Sequence, residues 1–323
     1  MSLILLLTAA ALAAFLLKAR RASADAPPPA VILVARGASD PEELEDVLVV
    51  LRGIKKAFPC YQERLAFSSD SVRALWRERG EDPAFREAHP DMDPRIYSVG
   101  NAISALASVQ ETGPRLTLVQ GLLLTDGPDY YDLSSLVESL RQIKTFDRAR
   151  APFPWIGLGL PALGPGEGQK EMLLRTAQTL APLFAEAEAA RAGMVLVADP
   201  SGGINPPAYR SLESCLKTVY PSVPLAVAVR DAIQPRGAVE AISASLPVPG
   251  PVILATLAPV SGIEVADDLD GPGEDSWGNL LRARGYTVDP RVRGLGSSPL
   301  FAELIVENVK RQEGALSRRY MMD

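Results

Sequence analysis

The sequence predicts an α/β protein of two similar lobes, each a parallel sheet flanked by helices, with an apolar helix at the N-terminus. Three observations predict it. Short, β-branched apolar runs alternate with longer segments of helical period through the chain after residue 30. A stretch dense in glycine and proline, Gly157 to Gly168, interrupts that alternation near the middle and suits a domain crossing. The second half then repeats the grammar of the first. The division that follows is an anchor or signal segment at 1–24, a proline-rich linker at 25–30, an N-terminal lobe at 31–165 and a C-terminal lobe at 166–323.

With 323 residues, 47% of them hydrophobic, the chain has enough apolar surface for a sizeable core. A formal net charge of -6 gives no overall positive field, which argues against nucleic acid as a partner. The two cysteines, Cys60 and Cys215, have neither the number nor the spacing of a disulfide framework or a zinc site. His89 is the single histidine, in a polar segment beside Pro90, so chemistry that needs two or three imidazoles is excluded from one copy of the chain.

From Ser2 to Leu17 the chain is apolar and then meets Lys18, Arg20 and Arg21. Such a run spans about 24 Å as a helix, enough for a short membrane anchor. Ala22-Ser23-Ala24 supplies the small residues of a signal-peptide cleavage site as the rival reading. The positive charge follows the apolar segment, which favours an uncleaved transmembrane helix with the membrane as partner and the remaining chain cytoplasmic. An exported or periplasmic location is the alternative.

After the linker, Val31 to Arg36 reads as a buried strand, and Gly37 turns it into a helix capped by Ser39 or Asp40 with Pro41 in its first turn. That helix runs to Ala57, Gln62 to Phe67 is the next strand, and Ser68-Ser69-Asp70 caps a helix through Arg79. The charged segment Gly80 to Pro94 reads as loop or short helix. Arg95 to Gln110 reads as helix, Leu116 to Leu124 as strand, Tyr131 to Ile143 as helix and Pro154 to Leu158 as strand. The second half gives a long helix over Glu167 to Arg191, then strand Met194 to Ala198, helix Pro207 to Val219, strand Leu225 to Val229 and helix Gly237 to Ser245. Strand Val252 to Leu257, an acidic loop, helix Ser276 to Arg284, strand Tyr286 to Val292 and helix Leu300 to Lys310 complete it. Two phrases echo between the halves. Leu118 to Leu124 leads into Asp126-Gly127-Pro128 and a helix, as Val252 to Leu257 leads into Asp270-Gly271-Pro272 and a helix. Ala57-Phe58-Pro59 precedes one strand as Val219-Tyr220-Pro221 precedes another.

Three acids follow strands of the second half at intervals of about one βαβ unit: Asp199, Asp231 and Glu264. That spacing carries all three to the C-terminal edge of one parallel sheet, where open α/β folds bind ligands. Three carboxylates suit a hard or borderline divalent metal and can also accept protons from a substrate. The plainer readings are that Asp199 caps a turn before Pro200, Asp231 pairs with Arg230 or Arg236, and Glu264 is solvated. Arg36 and Arg230, at strand ends, suit bidentate capture of ligand carboxylates or neutralisation of the neighbouring acids. Tyr130, Tyr131 and Trp277 suit an apolar cleft for a flat ligand, or core packing.

The ordered set Ala57-Phe58-Pro59, Ala66-Phe67-Ser68-Ser69, Val119-Gln120-Gly121-Leu122, Leu158-Gly159-Leu160-Pro161, Gly273-Glu274-Asp275-Ser276-Trp277 and Gly294-Leu295-Gly296 resembles the anaerobic sirohydrochlorin cobaltochelatases of the short single-chain class. The resemblance implies a two-lobed, chelatase-like fold around a tetrapyrrole cleft. It also implies insertion of a divalent metal, cobalt or iron, into a tetrapyrrole in cobalamin or related biosynthesis, with Asp199, Asp231 and Glu264 as catalytic and metal-binding positions. Arg36, Arg230, Tyr130 and Trp277 are the positions for the tetrapyrrole, and a homo-oligomer is compatible with the sequence. The chain departs from the family where it has Asp199-Pro200-Ser201 in place of a His-Gly loop, Asp231 in place of glutamate, and Gly262-Ile263-Glu264-Val265 in place of a Gly-Asp-His-Ala loop. A further family histidine falls on Leu123. Two readings follow: a chelatase in which carboxylates replace imidazoles, or a membrane-associated carrier of tetrapyrrole or metal without catalysis.

Overall fold

A computed structural model describes residues 27–143, 152–166, 168–198, 206–229, 235–246 and 250–322. The first sheet contains β1 (Ala30–Ala35), β2 (Gln62–Phe67), β3 (Leu116–Gly121) and β4 (Trp155–Leu158); the second contains β5 (Gly193–Ala198), β6 (Leu225–Val229), β7 (Pro251–Leu257) and β8 (Thr287–Arg291). Their orders, β2-β1-β3-β4 and β6-β5-β7-β8, are the same topology repeated, and every pairing is parallel. Both sequence echoes fall on equivalent elements: one on the third strand of each sheet, the other on the approach to the second.

Helices fill the crossovers, as parallel pairing demands. They are α1 (Pro41–Ala57), α2 (Asp70–Glu81), α3 (Pro83–Ala88), α4 (Ala102–Thr112), α5 (Pro128–Gln142), α6 (Gln169–Thr179), α7 (Ala181–Ala190), α8 (Pro206–Val219), α9 (Pro235–Ser245), α10 (Ile263–Asp270), α11 (Trp277–Arg282) and α12 (Pro299–Met322). The turn from β1 into α1 places Gly37 at a φ of 120°, a conformation that favours glycine, and Asp40 caps α1 by accepting from the Glu42 N–H.

Alternation along the strands divides the core. Val31, Leu33 and Ala35 of β1 share one buried cluster with Met194, Leu196 and Ala198 of β5 and with Ile253, Ala255 and Leu257 of β7, so the inner faces of both sheets belong to a common interior. Ala30, Ile32 and Val34 face α4 and α5 on the outer side of the first sheet, while Val195, Val197 and Leu254 face α9 and α11 on the outer side of the second. The chain's last helix returns to the first lobe. Ala302 and Val306 of α12 meet α1 at Gly53, and the Asn308 Nδ2 donates to the Leu160 carbonyl at 3.0 Å.

Four expectations are corrected. Arg95 to Gln110 is not one helix: a 3-10 turn at Pro94–Ser98 ends at Val99, Gly100 bridges to Ala66, and Asn101 caps a separate α4. The long helix over 167–191 divides at Leu180, because Pro182 in the first turn of α7 cannot donate the hydrogen bond that continuity requires. The acidic loop contains α10, whose terminal Asp270 is offset by Arg282 at 2.6 Å. Membrane attachment is the fourth. Among the described residues no helix is long and apolar enough to cross a membrane. The longest of them, α12, carries Glu303, Glu307, Lys310 and Arg311 and packs on the first lobe. The transmembrane helix, the membrane as partner and the membrane-anchored location are therefore withdrawn; Ser2 to Leu17 lies outside the described residues.

Candidate metal and tetrapyrrole site

The second sheet's register sets Ala198 of β5 beside both Val229 of β6 and Leu257 of β7. Strands pair about 4.8 Å apart, so the C-terminal ends of these three strands lie side by side at one sheet edge. Asp199, Arg230 and Asp231 belong to the segments that follow β5 and β6 and lie outside the described residues. Glu264 is in the first turn of α10, directly behind the loop that follows β7; its backbone is described and its side chain is not.

In the first lobe, Arg36 follows β1 directly and is exposed. Tyr130 sits in the first turn of α5, behind the loop that follows β3, half-buried with its ring 6.1 Å from Tyr131. Burial, followed by the nearby Asp126 and Tyr131, pushes its phenol pKa up, so it remains a neutral hydroxyl near physiological pH. Val34 of β1 pairs with Gly121 of β3, so the approaches to Arg36 and to the Tyr130 loop start from neighbouring strands. Trp277 is elsewhere: it is 2% exposed and packs with Val195, Val197 and Leu254 on the outer face of the second sheet. The indole fills a core there. Leu123, where the resemblance implies a histidine, is buried in the loop after β3.

Around these edges the structure is tightly held. The loop after β7, residues 258–262, receives backbone hydrogen bonds from Leu295 N–H to the Ala258 carbonyl at 2.9 Å and from Gly296 N–H to the Pro259 carbonyl at 2.8 Å. Ser261 donates through both its backbone N–H and its hydroxyl to the Asp46 Oδ2, each at 3.0 Å. Gly294 and Gly296 make this contact feasible, since a methyl group on either would collide with Asp46 and lie 2.8 Å from the Pro259 carbonyl. In the first lobe, Gln120 Nε2 donates to the Leu160 carbonyl at 3.0 Å. Ala162 and Leu163 N–H groups donate to the carbonyls of Leu123 and Leu124 at 3.0 and 2.6 Å. The segment after β4 thereby braces the loop after β3.

Asp46 and Gln120 were not singled out in the sequence as site residues. Asp46 left a signal: it occurs in an amphipathic helix whose buried stripe is otherwise Leu44, Val47, Val50, Leu51 and Ile54. Gln120 occurs in a strand whose neighbours Leu118, Val119 and Leu122 are all buried. A polar residue at an apolar position needs a dedicated partner. His89 is remote from both edges in role: its ring stacks on Phe85 at 4.1 Å and its Nδ1 lies 2.9 Å from the Phe85 carbonyl at the end of α3.

Residues 29–313 match the family model described as Cobalt chelatase (CbiK). The chain belongs to the cobalt chelatase family. Among solved structures, one similar chain is CbiX, described as the terminal enzyme for biosynthesis of siroheme in denitrifying bacteria. It is 18% identical, with 87% of this chain and 98% of that chain covered and a TM-score of 0.46. Comparison with curated proteins gives no match. Membership associates this cobalt chelatase relative with metal and tetrapyrrole chemistry. Among the described residues, no group of three or more His, Cys, Asp or Glu is placed to hold a metal ion.

Proposed function

We propose that this member of the family inserts a divalent metal, cobalt or iron, into sirohydrochlorin, using carboxylates where relatives are expected to use imidazoles. Asp199, Asp231 and Glu264 receive the metal and accept pyrrole protons; Arg36 and Arg230 hold ligand carboxylates, and Tyr130 lines the cleft. The family match across residues 29–313 is the observation that carries this reading. The pairing of Ala198 with Val229 and Leu257 supports it, because the three acids follow strands that end side by side. Trp277, buried in a core, has no role in it.

Insertion requires that the macrocycle give up two N–H protons as the metal forms bonds to its nitrogens. An isolated carboxylate, with a pKa near 4, is a weak base at neutral pH. Carboxylates that share a site without a metal raise one another's pKa, so the proposed proton transfer falls to one of them once the metal has left for the macrocycle. An all-oxygen ligand set also holds a borderline metal less firmly than imidazole does, which aids its release to the macrocycle.

The second reading, a carrier that binds tetrapyrrole or metal without turnover, draws on Leu123, a buried leucine at a position where the resemblance implies a histidine. Replacement of Asp231 or Glu264 by alanine separates the readings. The chelatase reading predicts that each substitution lowers the rate of cobalt insertion into sirohydrochlorin by at least about tenfold with the fold intact. Unchanged insertion in both variants overturns the assignment of these carboxylates.

A further inference from the structure

We infer that Asp46 is a positioning residue for metal insertion: from the first lobe it fixes the loop of the second lobe that leads into Glu264. The inference rests on the chelatase reading above.

Asp46 leaves α1, the helix that follows β1, and is 3% exposed. Its Oδ2 accepts two hydrogen bonds from Ser261, one from the backbone N–H and one from the hydroxyl. Ser261 stands three residues before Glu264, at the point where the loop enters α10. Leu295 and Gly296 hold the preceding residues, Ala258 and Pro259, through their carbonyls. The loop is therefore fastened along its length, and Asp46 supplies the fastening nearest to Glu264. It is contributed by the opposite lobe.

Nothing about the packing of α1 asks for a carboxylate. Its stripe is otherwise aliphatic, and a buried anion is costly unless its hydrogen bonds are all made. Gly294 leaves room for the carboxylate and Gly296 for the Asp46 backbone carbonyl, so Ser261 and Gly294 of the second lobe are both fitted to this one side chain. Holding a reacting group within a few tenths of an ångström of its working position is the kind of role that justifies such an arrangement.

The test uses the full chain, with sirohydrochlorin and Co²⁺ as substrates followed by absorbance, together with hydrogen exchange at the Ser261 amide. In Asp46→Ala the amide loses its acceptor, and exchange accelerates by about tenfold or more. The expected kcat falls by about tenfold while KM for sirohydrochlorin stays within about twofold, since the defect is in placement of the metal-handling group rather than in tetrapyrrole capture. Asp46→Asn retains an acceptor oxygen and restores kcat to within about threefold of wild type. Ser261→Ala, which keeps the backbone hydrogen bond, gives a smaller fall and serves as the second variant if Asp46→Ala does not fold. Wild-type kcat in both Asp46→Ala and Ser261→Ala, or unaltered exchange at Ser261 in Asp46→Ala, overturns the inference. A wild-type chain without turnover refutes the chelatase reading instead, and the exchange measurement then decides separately whether Asp46 fastens the loop.

Discussion

Asp46 shows how one side chain can work against stability while it holds a loop in place. Burial raises its pKa above the ordinary carboxylate value, and the hydrogen bonds from Ser261 offset only part of that effect. A raised pKa means that the folded state prefers the protonated acid. The associated stability is fully present below the unfolded-state pKa and is lost as pH rises through the folded-state pKa. The Asp46→Asn substitution keeps the shape of the side chain and leaves no charge to bury. The difference in Tm, variant minus wild type, is expected to be more positive at pH 7 than at pH 4, and thermal melts at the two pH values measure it. A difference that is the same at both, or larger at pH 4, contradicts the account. Asp46 was legible in the sequence only as a polar residue in an apolar helical stripe; its partner, 215 positions away, was not. Hydrogen bonds of that separation follow from lobe packing, which local patterns do not encode.

Among the elements, the segment Gly294-Leu295-Gly296 joins sequence signal to physical cause most directly. It belongs to the residue set that carries the family resemblance, and it forms the short 3-10 turn that grips the loop after β7. Adding a methyl group at Gly296 sets it against the Asp46 and Pro259 carbonyls, which are backbone atoms and cannot rotate away. Gly296→Ala is expected to destabilise the protein by at least about 2 kcal/mol, the range for overpacking a close contact, as read by denaturant unfolding. Wild-type stability would show that α1 and the loop have slack there. The strands and most helices were legible because period and capping agreed: Asp40 and Ser69 cap the helices they precede. The acidic stretch was harder. Asp267, Asp268 and Asp270 crowd the C-terminal end of α10, against the helix dipole, and resemble a solvated loop until Arg282 is brought to Asp270 from a later helix.

At the scale of the whole molecule, repetition was legible and mutual embrace was not. The echoed phrases anticipated two sheets of equal topology, yet the shared core of their inner faces and the return of α12 to the first lobe depend on how the halves pack. Phe301, Leu304, Ile305 and Val309 of that helix are buried, so the end of the chain completes the interior begun at its start. The family motifs explain the same division of labour. Gln120 and Asn308 converge on the Leu160 carbonyl, while Gly294 and Gly296 meet Asp46; these residues brace the loops at the sheet edges. The proposed chemistry belongs to the acids those loops carry, where this chain departs most from the family pattern. The most direct measurement is a titration of sirohydrochlorin with the purified full chain, with and without Co²⁺ or Fe²⁺, followed by the absorbance spectrum. Multiple turnovers to the metallated spectrum, at a rate proportional to protein, are the predicted result. Saturable binding that stops at one equivalent, or no spectral change beyond the protein-free control, contradicts carboxylate-based metal insertion.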